Sequence, residues 1–462
     1  MSLATPAGTM DKLFADCEHR REMEGKLAGL FREEGYREVM TPLLEYLSVY
    51  DNSPLPSSAM RKLIDRDGRV LVLRPDSTLP VARAVQARLR GRELPLRVYY
   101  LQSVFRETSR RAEEMQAGVE LIGATGLQAD IEVLSLAARA LEVCGAGDYV
   151  MEINHSGRES DPAGAEAEVT ALCEALASRG CGGHIRAGAG ASPQIGYYTG
   201  VVFACYVPGA GREVLRGGRY DKLHGSFGFR AASCGFAVDI DTLQGCVGEN
   251  AVLPSGAPLR VALTKGRLLE YAADMFERAG AERGALLRPG RRLVIPARVA
   301  GMDVEFILAK AGDVLTYVAN GVCGAGVCGK DTLMESDADV REALDLGFGR
   351  CSLVFAGPEG LDVRQLGGRL RIATKYPAAS RAYAASRGWV ADIIKIESSA
   401  ETAPALGLAD AIIDIAETGD TLRAHNLAVL EEICPISARL VVNKAIMRTR
   451  RREMEALIAA CV

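Results

Sequence analysis

Along the chain the spacing of apolar residues changes several times, and each change marks an element. Within residues 10–35, Leu13, Phe14, Met23, Leu27, Leu30 and Phe31 recur at near-helical intervals with charges between them. That spacing predicts an amphipathic helix, with Gly35 as its C-cap. Residues 38–45 read as a strand containing Pro42, a composition suited to a sheet edge or an interface. Residues 70–78 form a strand and polar turn, followed by a helix over 79–89; 97–107 is a further strand, with 116–123 as its antiparallel partner. Alternation returns over 197–207, and 233–241 reads as a strand running into a helix. An antiparallel sheet with helices outside it is the simplest architecture for this α+β half.

From residue 259 onward strands and helices alternate: strand 259–263, helix 268–279, strand 304–308, helix 313–319, a strand within 324–331 ending in a glycine-rich loop, and strand 351–357. This pattern predicts an α/β fold, mostly parallel. Its focus is residues 410–427. Residues 411–415 are a β-branched strand, 416–421 a polar loop with one glycine, and helix-like spacing begins at Leu422 and continues through Leu427 and Leu430. A strand that turns into a helix at Thr418-Gly-Asp-Thr421 offers unpaired N–H groups and a positive dipole end to a phosphate. Gly419 permits close backbone approach, Thr418 and Thr421 add hydroxyls, and Asp414 is placed to accept from two sugar hydroxyls. Without a ligand the same residues make an ordinary capped turn. A second strand-to-helix turn, Thr264-Lys-Gly-Arg267, brings Lys265, Gly266 and Arg267 to another anion site. Lys375, ahead of Pro377, and Glu401, in the polar turn 397–401, are further cleft candidates.

Composition narrows the function. The 462 residues exceed what one core holds, and 55 basic against 59 acidic residues leave a net charge of −4. No global basic field is present to bind nucleic acid. Twelve cysteines are scattered without a paired CxxC, which argues against zinc and for buried thiols in a reducing cytosol. The first residues lack a signal pattern, and no apolar run approaches the ~20 residues of a membrane span. Cytoplasmic localisation is the expectation. Residues 248–258, with two prolines and two glycines, read as a linker.

Residues 371–377, 393–404 and 407–410, in this order ahead of the focal stretch and with 259–268 upstream, resemble the short-form ATP phosphoribosyltransferase that opens histidine biosynthesis. The first half resembles a class II aminoacyl-tRNA synthetase of the histidyl type. The proline strand is similar to motif 1, 99–120 to motif 2 and 235–243 to motif 3; Tyr197-Tyr-Thr-Gly200 resembles the histidine signature and 217–221 the glycine-rich lead-in. Two departures matter. Thr242 stands where the synthetase has the motif 3 arginine, and Pro193 stands where an arginine precedes the Tyr-Tyr signature by four positions. Neither replaces a planar, permanent charge. The loop after Arg106 is also shorter than the synthetase pattern, and no anticodon-binding domain follows.

The resemblance thus implies a fusion: a regulatory half over 1–247, inactive in aminoacylation, the linker, and a catalytic half over 259–462 with two lobes like a periplasmic binding protein. It implies that N1 of ATP attacks C1 of phosphoribosyl pyrophosphate, with Mg2+ on substrate oxygens. In this scheme Asp414 holds the ribose hydroxyls, Glu417, Thr418, Gly419, Asp420 and Thr421 form the 5′-phosphate loop, and Lys265 and Arg267 face pyrophosphate or ATP. The resemblance also implies an L-histidine pocket from Asp76, Thr78, Gln116, Glu120 and Tyr198, with Asp76 where a glutamate is usual, and a homo-oligomer. Within the catalytic half, Gly324 replaces a usual aspartate and Cys328 a hydroxyl residue. Two other readings compete: a tRNA ligase, which the missing arginines disfavour, and a non-catalytic two-lobed small-molecule binding protein, for which the 418–421 turn would be idle.

Overall fold

The computed structural model describes residues 3–51, 53, 55–107, 111–188, 197–247, 257–363, 369–397, 399–417 and 419–462. The chain divides into two compact units, 1–255 and 256–462. Pro193, Thr418 and most of the 248–258 stretch lie outside the described residues.

The first unit is built on an eight-stranded sheet. Its strands run, in spatial order, Arg37–Glu38, Leu96–Phe105, Glu113–Ile122, Ser233–Asp239, Glu213–Arg219, Val201–Tyr206, Val150–His155 and Ile185–Ala187. The two outermost pairings are parallel and the others antiparallel. Alternation along these strands separates two faces. One face carries Ala117, Val119, Leu121, Phe236, Val238, Phe203 and Cys205, which form one core with Met23, Leu27 and Phe31 of helix Ala15–Glu33 and the apolar side of helix Leu127–Val143. The other face is floored by small residues: Gly118, Ala237, Gly235, Gly218 and Ala204.

Two expectations need correction here. The first helix starts at Ala15, after Phe14 has taken a φ of 47°, and Leu13 and Phe14 are exposed. The proline stretch 38–45 is not one strand. It breaks around Pro42, leaving Arg37–Glu38 in the large sheet and Leu44–Tyr46 in a separate three-stranded sheet with Val70–Leu73 and Lys62–Ile64. Proline has no N–H for a ladder. The freed carbonyls of Thr41 and Pro42 accept instead from Arg74 Nη1 at 2.8 and 2.9 Å.

The second unit holds two sheets, each with its own core. The six-stranded sheet runs Val294–Val299, Met302–Ala309, Leu259–Thr264, Ala325–Gly329, Ala438–Val442, Arg341–Asp345, and the five-stranded sheet runs Ala391–Lys395, Leu370–Thr374, Ala411–Ala416, Cys351–Gly357, Ala428–Ile436. Both are mixed rather than mostly parallel: parallel pairing is confined to Met302–Ala309, Leu259–Thr264 and Ala325–Gly329 in one, and Ala391–Lys395, Leu370–Thr374 and Ala411–Ala416 in the other. The chain leaves the first sheet after Asp345 and returns to it at Ala438. The two passages run side by side. Ser437 Oγ donates to Asp345 Oδ1 at 2.7 Å, Leu346 N donates to Ala438 O and Ala438 N to Phe348 O, both at 2.9 Å.

The helix expected from Leu422 onward is only Asp420–Ala424. Asn426 turns the chain at a φ of 57°, so Leu427 lies beyond the helix and Leu430 falls within strand Ala428–Ile436. The 324–331 stretch is strand Ala325–Gly329 followed directly by helix Lys330–Met334. A Cβ on Gly324 would lie 2.6 Å from Leu259 Cδ1, so this position packs against the core and a side chain there would have to displace Leu259. Cys328 is buried and its thiol is pushed up to about 12 by burial.

Candidate functional site

In the second unit, three parallel strands deliver their carboxyl ends to one place. Thr374 pairs with Ile413 and with Lys395, so Lys375, Asp414 and the turn after Lys395 emerge together. Crevices outside such strand ends are where open α/β sheets bind ligands. Thr374 fixes the junction: its hydroxyl donates to Ile413 O at 2.6 Å and accepts from Tyr376 N at 2.9 Å. Asp414 is half-buried and accepts from Ile415 N at 2.8 Å. Burial raises its pKa; the Ile415 N–H opposes that, Glu401 adds to it, and Lys375 opposes it. Glu401 carries a buried Oε2 with no hydrogen-bond partner. Asp414, Lys375 and Glu401 are therefore neighbours.

The turn after the strand Ala411–Ala416 reverses at Gly419, whose φ of 74° and ψ of 6° lie in the left-handed region. Glu417 points to Arg267, with which it forms an ion pair. Asp420 pairs with Arg423 at 2.5 Å. Thr421 is exposed in the first turn of the short helix. Arg267 opens helix Arg267–Arg278, behind Gly266 at φ 92° and ψ −149°, a conformation open to glycine. Nothing would crowd a Cβ there, so the backbone angle alone selects glycine. Lys265 is exposed, and its N–H donates to Ala309 O at 2.9 Å.

Three residues that the sequence does not single out connect these groups. Burial raises the pKa of Tyr376, and Asp331, Asp414 and Cys351 add to the rise, with the Asp331 carboxylate also hydrogen-bonded to the phenol. Cys351 in turn feels Asp331, Arg267 and Glu417. Asp331, Tyr376 and Cys351 thus lie between the Arg267–Glu417 pair and Asp414. The sequence signal that marks Asp331 is Gly329-Lys-Asp331, another strand end entering a helix.

In the first unit, Asp76, Thr78, Glu120 and Tyr198 gather on the small-residue face. Glu120 is 3% exposed. Burial pushes its pKa well up; the Thr78 hydroxyl, hydrogen-bonded to it, opposes this, and Asp76 adds to it. Its Oε2 has no hydrogen-bond partner. A Cβ on Gly235 would stand 2.5 Å from that oxygen and 2.7 Å from the Tyr220 hydroxyl, so both groups converge over this glycine. Burial likewise raises Asp76, against N–H donors from Leu79 and Thr78 and the charge of Arg106. Tyr198 covers Gly218, where a Cβ would lie 2.7 Å from its ring. Gln116 shares the strand and face of Gly118 and Glu120.

Thr242 is held in a buried polar net. Arg212 donates to its Oγ1 from Nη2 at 2.6 Å and from Nε at 3.0 Å, and that hydroxyl donates to Asp239 Oδ2 at 2.5 Å. Arg212 also reaches Glu114 at 3.0 Å, and Glu114 takes Arg106 at 3.1 Å on its other oxygen. The cations of this corner are thus engaged by the protein's own carboxylates.

These sites can be set beside known proteins. The family model for histidyl-tRNA synthetase matches residues 8–179 and 157–243, and that for ATP phosphoribosyltransferase matches residues 310–461. An ATP phosphoribosyltransferase of Clostridium kluyveri is 47% identical over 200 residues, 43% of this chain and 90% of that protein; one of Clostridium novyi is 44% identical over 200 residues, covering 43% and 94%. A crystal structure described as an ATP phosphoribosyltransferase regulatory subunit/histidyl-tRNA synthetase from Bacillus halodurans C is 25% identical with a TM-score of 0.50, covering 67% of this chain and 93% of that one. The first unit has a class II synthetase-like fold. The chain belongs to the ATP phosphoribosyltransferase family, as a fusion of a histidyl-tRNA synthetase-like regulatory half with a catalytic half, and is a glycosyltransferase-type enzyme of the first step of histidine biosynthesis. Among the described residues, no helix is long and apolar enough to cross a membrane.

Proposed function

We propose that the second unit joins N1 of ATP to C1 of phosphoribosyl pyrophosphate and expels pyrophosphate in the crevice that Asp414 borders. The observation that carries this reading is the convergence of Asp414, Lys375 and Glu401 at three parallel strand ends beside the Gly419 turn. The nucleophile is a ring nitrogen with a free lone pair, so no activated side chain is needed; alignment and charge management suffice. Asp414 accepts from the ribose hydroxyls, and residues 417–421 hold the 5′-phosphate through backbone N–H groups and the hydroxyls of Thr418 and Thr421. Lys265, Gly266 and Arg267 take the pyrophosphate or the ATP. Glu417 and Asp420, each paired with an arginine, keep their charge off the phosphate. Lys375 and Glu401 line the crevice.

Among the described residues no three His, Cys, Asp or Glu side chains group as a metal cage requires. Mg2+ is proposed to be carried on substrate oxygens, where it would neutralise the leaving pyrophosphate. The finer architecture we propose is two lobes like a periplasmic binding protein over 259–462, joined by 248–258 to a regulatory half over 1–247. That half binds L-histidine as inhibitor through Asp76, Thr78, Gln116, Glu120 and Tyr198, whose orphaned carboxylate oxygen suits an ammonium or an imidazole N–H. The enzyme works as a cytoplasmic homo-oligomer without nucleic acid.

The test mixes the purified chain with ATP, phosphoribosyl pyrophosphate and Mg2+ and follows the ultraviolet change of an N1-substituted adenine. Turnover that histidine suppresses is expected. A chain that binds small molecules without turnover would be the two-lobed binding protein instead.

A further inference from the structure

The small-residue face of the first unit ends in a cation with no place in the Glu120 pocket. Arg216 lies on strand Glu213–Arg219, paired with Ala237, which is paired with Gly118; two residues on, Gly218 pairs with Gly235, which pairs with Glu120. Arg216, Gly218, Ala237, Gly235, Gly118 and Glu120 therefore share one face. Arg216 stands one pleat along and two strands across from Glu120, roughly 7 Å by roughly 10 Å; the residues between are glycine and alanine, with the Tyr100 phenol over Gly118. Tyr198, which covers Gly218, feels the Arg216 charge directly.

Other arginines of this corner are committed. Arg106 donates to Pro75 O at 2.9 Å and to Glu114 at 3.1 Å, and Arg212 is spread over Glu114, Asp239 and Thr242. Arg216 pairs through Nη2 with Glu213, at the outer end of the strand, while its Nε is buried with no acceptor. At the far end of the floor, Glu120 and Asp76 are buried carboxylates lacking a cation of their own; the charge of Arg106 reaches Asp76 but is bonded elsewhere. Such a floor, acid at one end and an unsatisfied guanidinium N–H at the other, matches a zwitterion laid across it.

We infer that Arg216 holds the α-carboxylate of the amino acid whose ammonium and ring N–H groups are taken at the Glu120 and Asp76 end. The inference rests on the proposed histidine-binding role of this half.

The experiment is calorimetric titration of the full chain with L-histidine and with L-histidinol, which keeps the ammonium and the imidazole but lacks the carboxylate. The unmodified chain is expected to favour histidine by about 10- to 100-fold, the worth of a charge-assisted hydrogen bond. In Arg216→Ala that preference falls to within about threefold, through lost affinity for histidine while histidinol binds as before. An undiminished preference in Arg216→Ala overturns the inference. Should Arg216→Ala bind neither ligand, Arg216→Gln, which keeps most of the length and polarity, is read the same way, and equal loss of both ligands there also overturns it. If the unmodified chain binds neither, the histidine reading itself falls and this inference with it.

Discussion

The two units bury carboxylates in opposite ways. Glu120 of the first unit sits deep in a finished sheet, with Thr78 and Asp76 close by and one oxygen unbonded. Asp414 of the second unit is half-buried at a strand end, braced by a backbone N–H and with Lys375 near enough to offset part of the burial cost. A fully enclosed acid without a cation is pushed toward its neutral form, and in the function proposed above the guest's own positive charge would restore the carboxylate. An acid at the rim, already in a mixed field with Lys375 and Glu401, meets a smaller burial cost, which in the function proposed above leaves it free to accept from substrate hydroxyls. The lesson is that the same carboxyl chemistry is tuned to different degrees by what surrounds it.

The strongest way to break this contrast is Asp414→Ala. Turnover should fall about 10²–10³-fold, with calorimetric histidine binding intact; near-normal turnover would remove Asp414 from the chemistry. Next, Glu120→Ala should weaken histidine binding by about 10- to 100-fold and erase the effect of histidine on turnover, whereas unchanged binding would place the ligand elsewhere. Gly419→Ala forces an L-residue into the left-handed region, at a cost of roughly 1–2 kcal/mol. It should raise the KM for phosphoribosyl pyrophosphate about tenfold, and an unaltered KM would show the turn idle. The smallest effect concerns pH. His224 is buried in the first unit and its pKa is lowered to about 4 by burial. Between pH 6.5 and 4 the unfolded chain therefore binds a proton that the folded chain refuses, and stability is lost as pH falls; above pH 6.5 the term vanishes. Scanning calorimetry should show the first unit losing roughly 1 kcal/mol over the first pH unit below 6.5, and His224→Phe should flatten that slope.

Much of this was legible in the sequence because it is local. The Leu96–Phe105 and Glu113–Ile122 pair, the strand Ala411–Ala416 and the turn at Gly419 follow from alternation and one glycine. The helix after Gly266 follows from its spacing. What was not legible depends on partners far along the chain. The Leu422, Leu427 and Leu430 spacing imitates a helix, yet Ala428–Ile436 becomes a strand because Cys351–Gly357 is there to pair with it. The parallel order predicted for the second half fails where Ala438–Val442 returns antiparallel between Ala325–Gly329 and Arg341–Asp345. Arg267 and Glu417 are 150 residues apart, and no local pattern announces their pairing. Asp331, Tyr376 and Cys351 each look ordinary in sequence; only the fold lines them up between two candidate substrate sites.

The twin passages joining the two sheets of the second unit have a mechanical consequence. Two passages tied side by side, by Ser437 on Asp345 and by the rungs at Leu346 and Ala438, resist twisting more than a lone connecting strand would. The Arg267–Glu417 ion pair adds a further tie, between the turn after strand Leu259–Thr264 in one sheet and the turn after Ala411–Ala416 in the other, and in the function proposed above a phosphate held by Arg267 would compete with it.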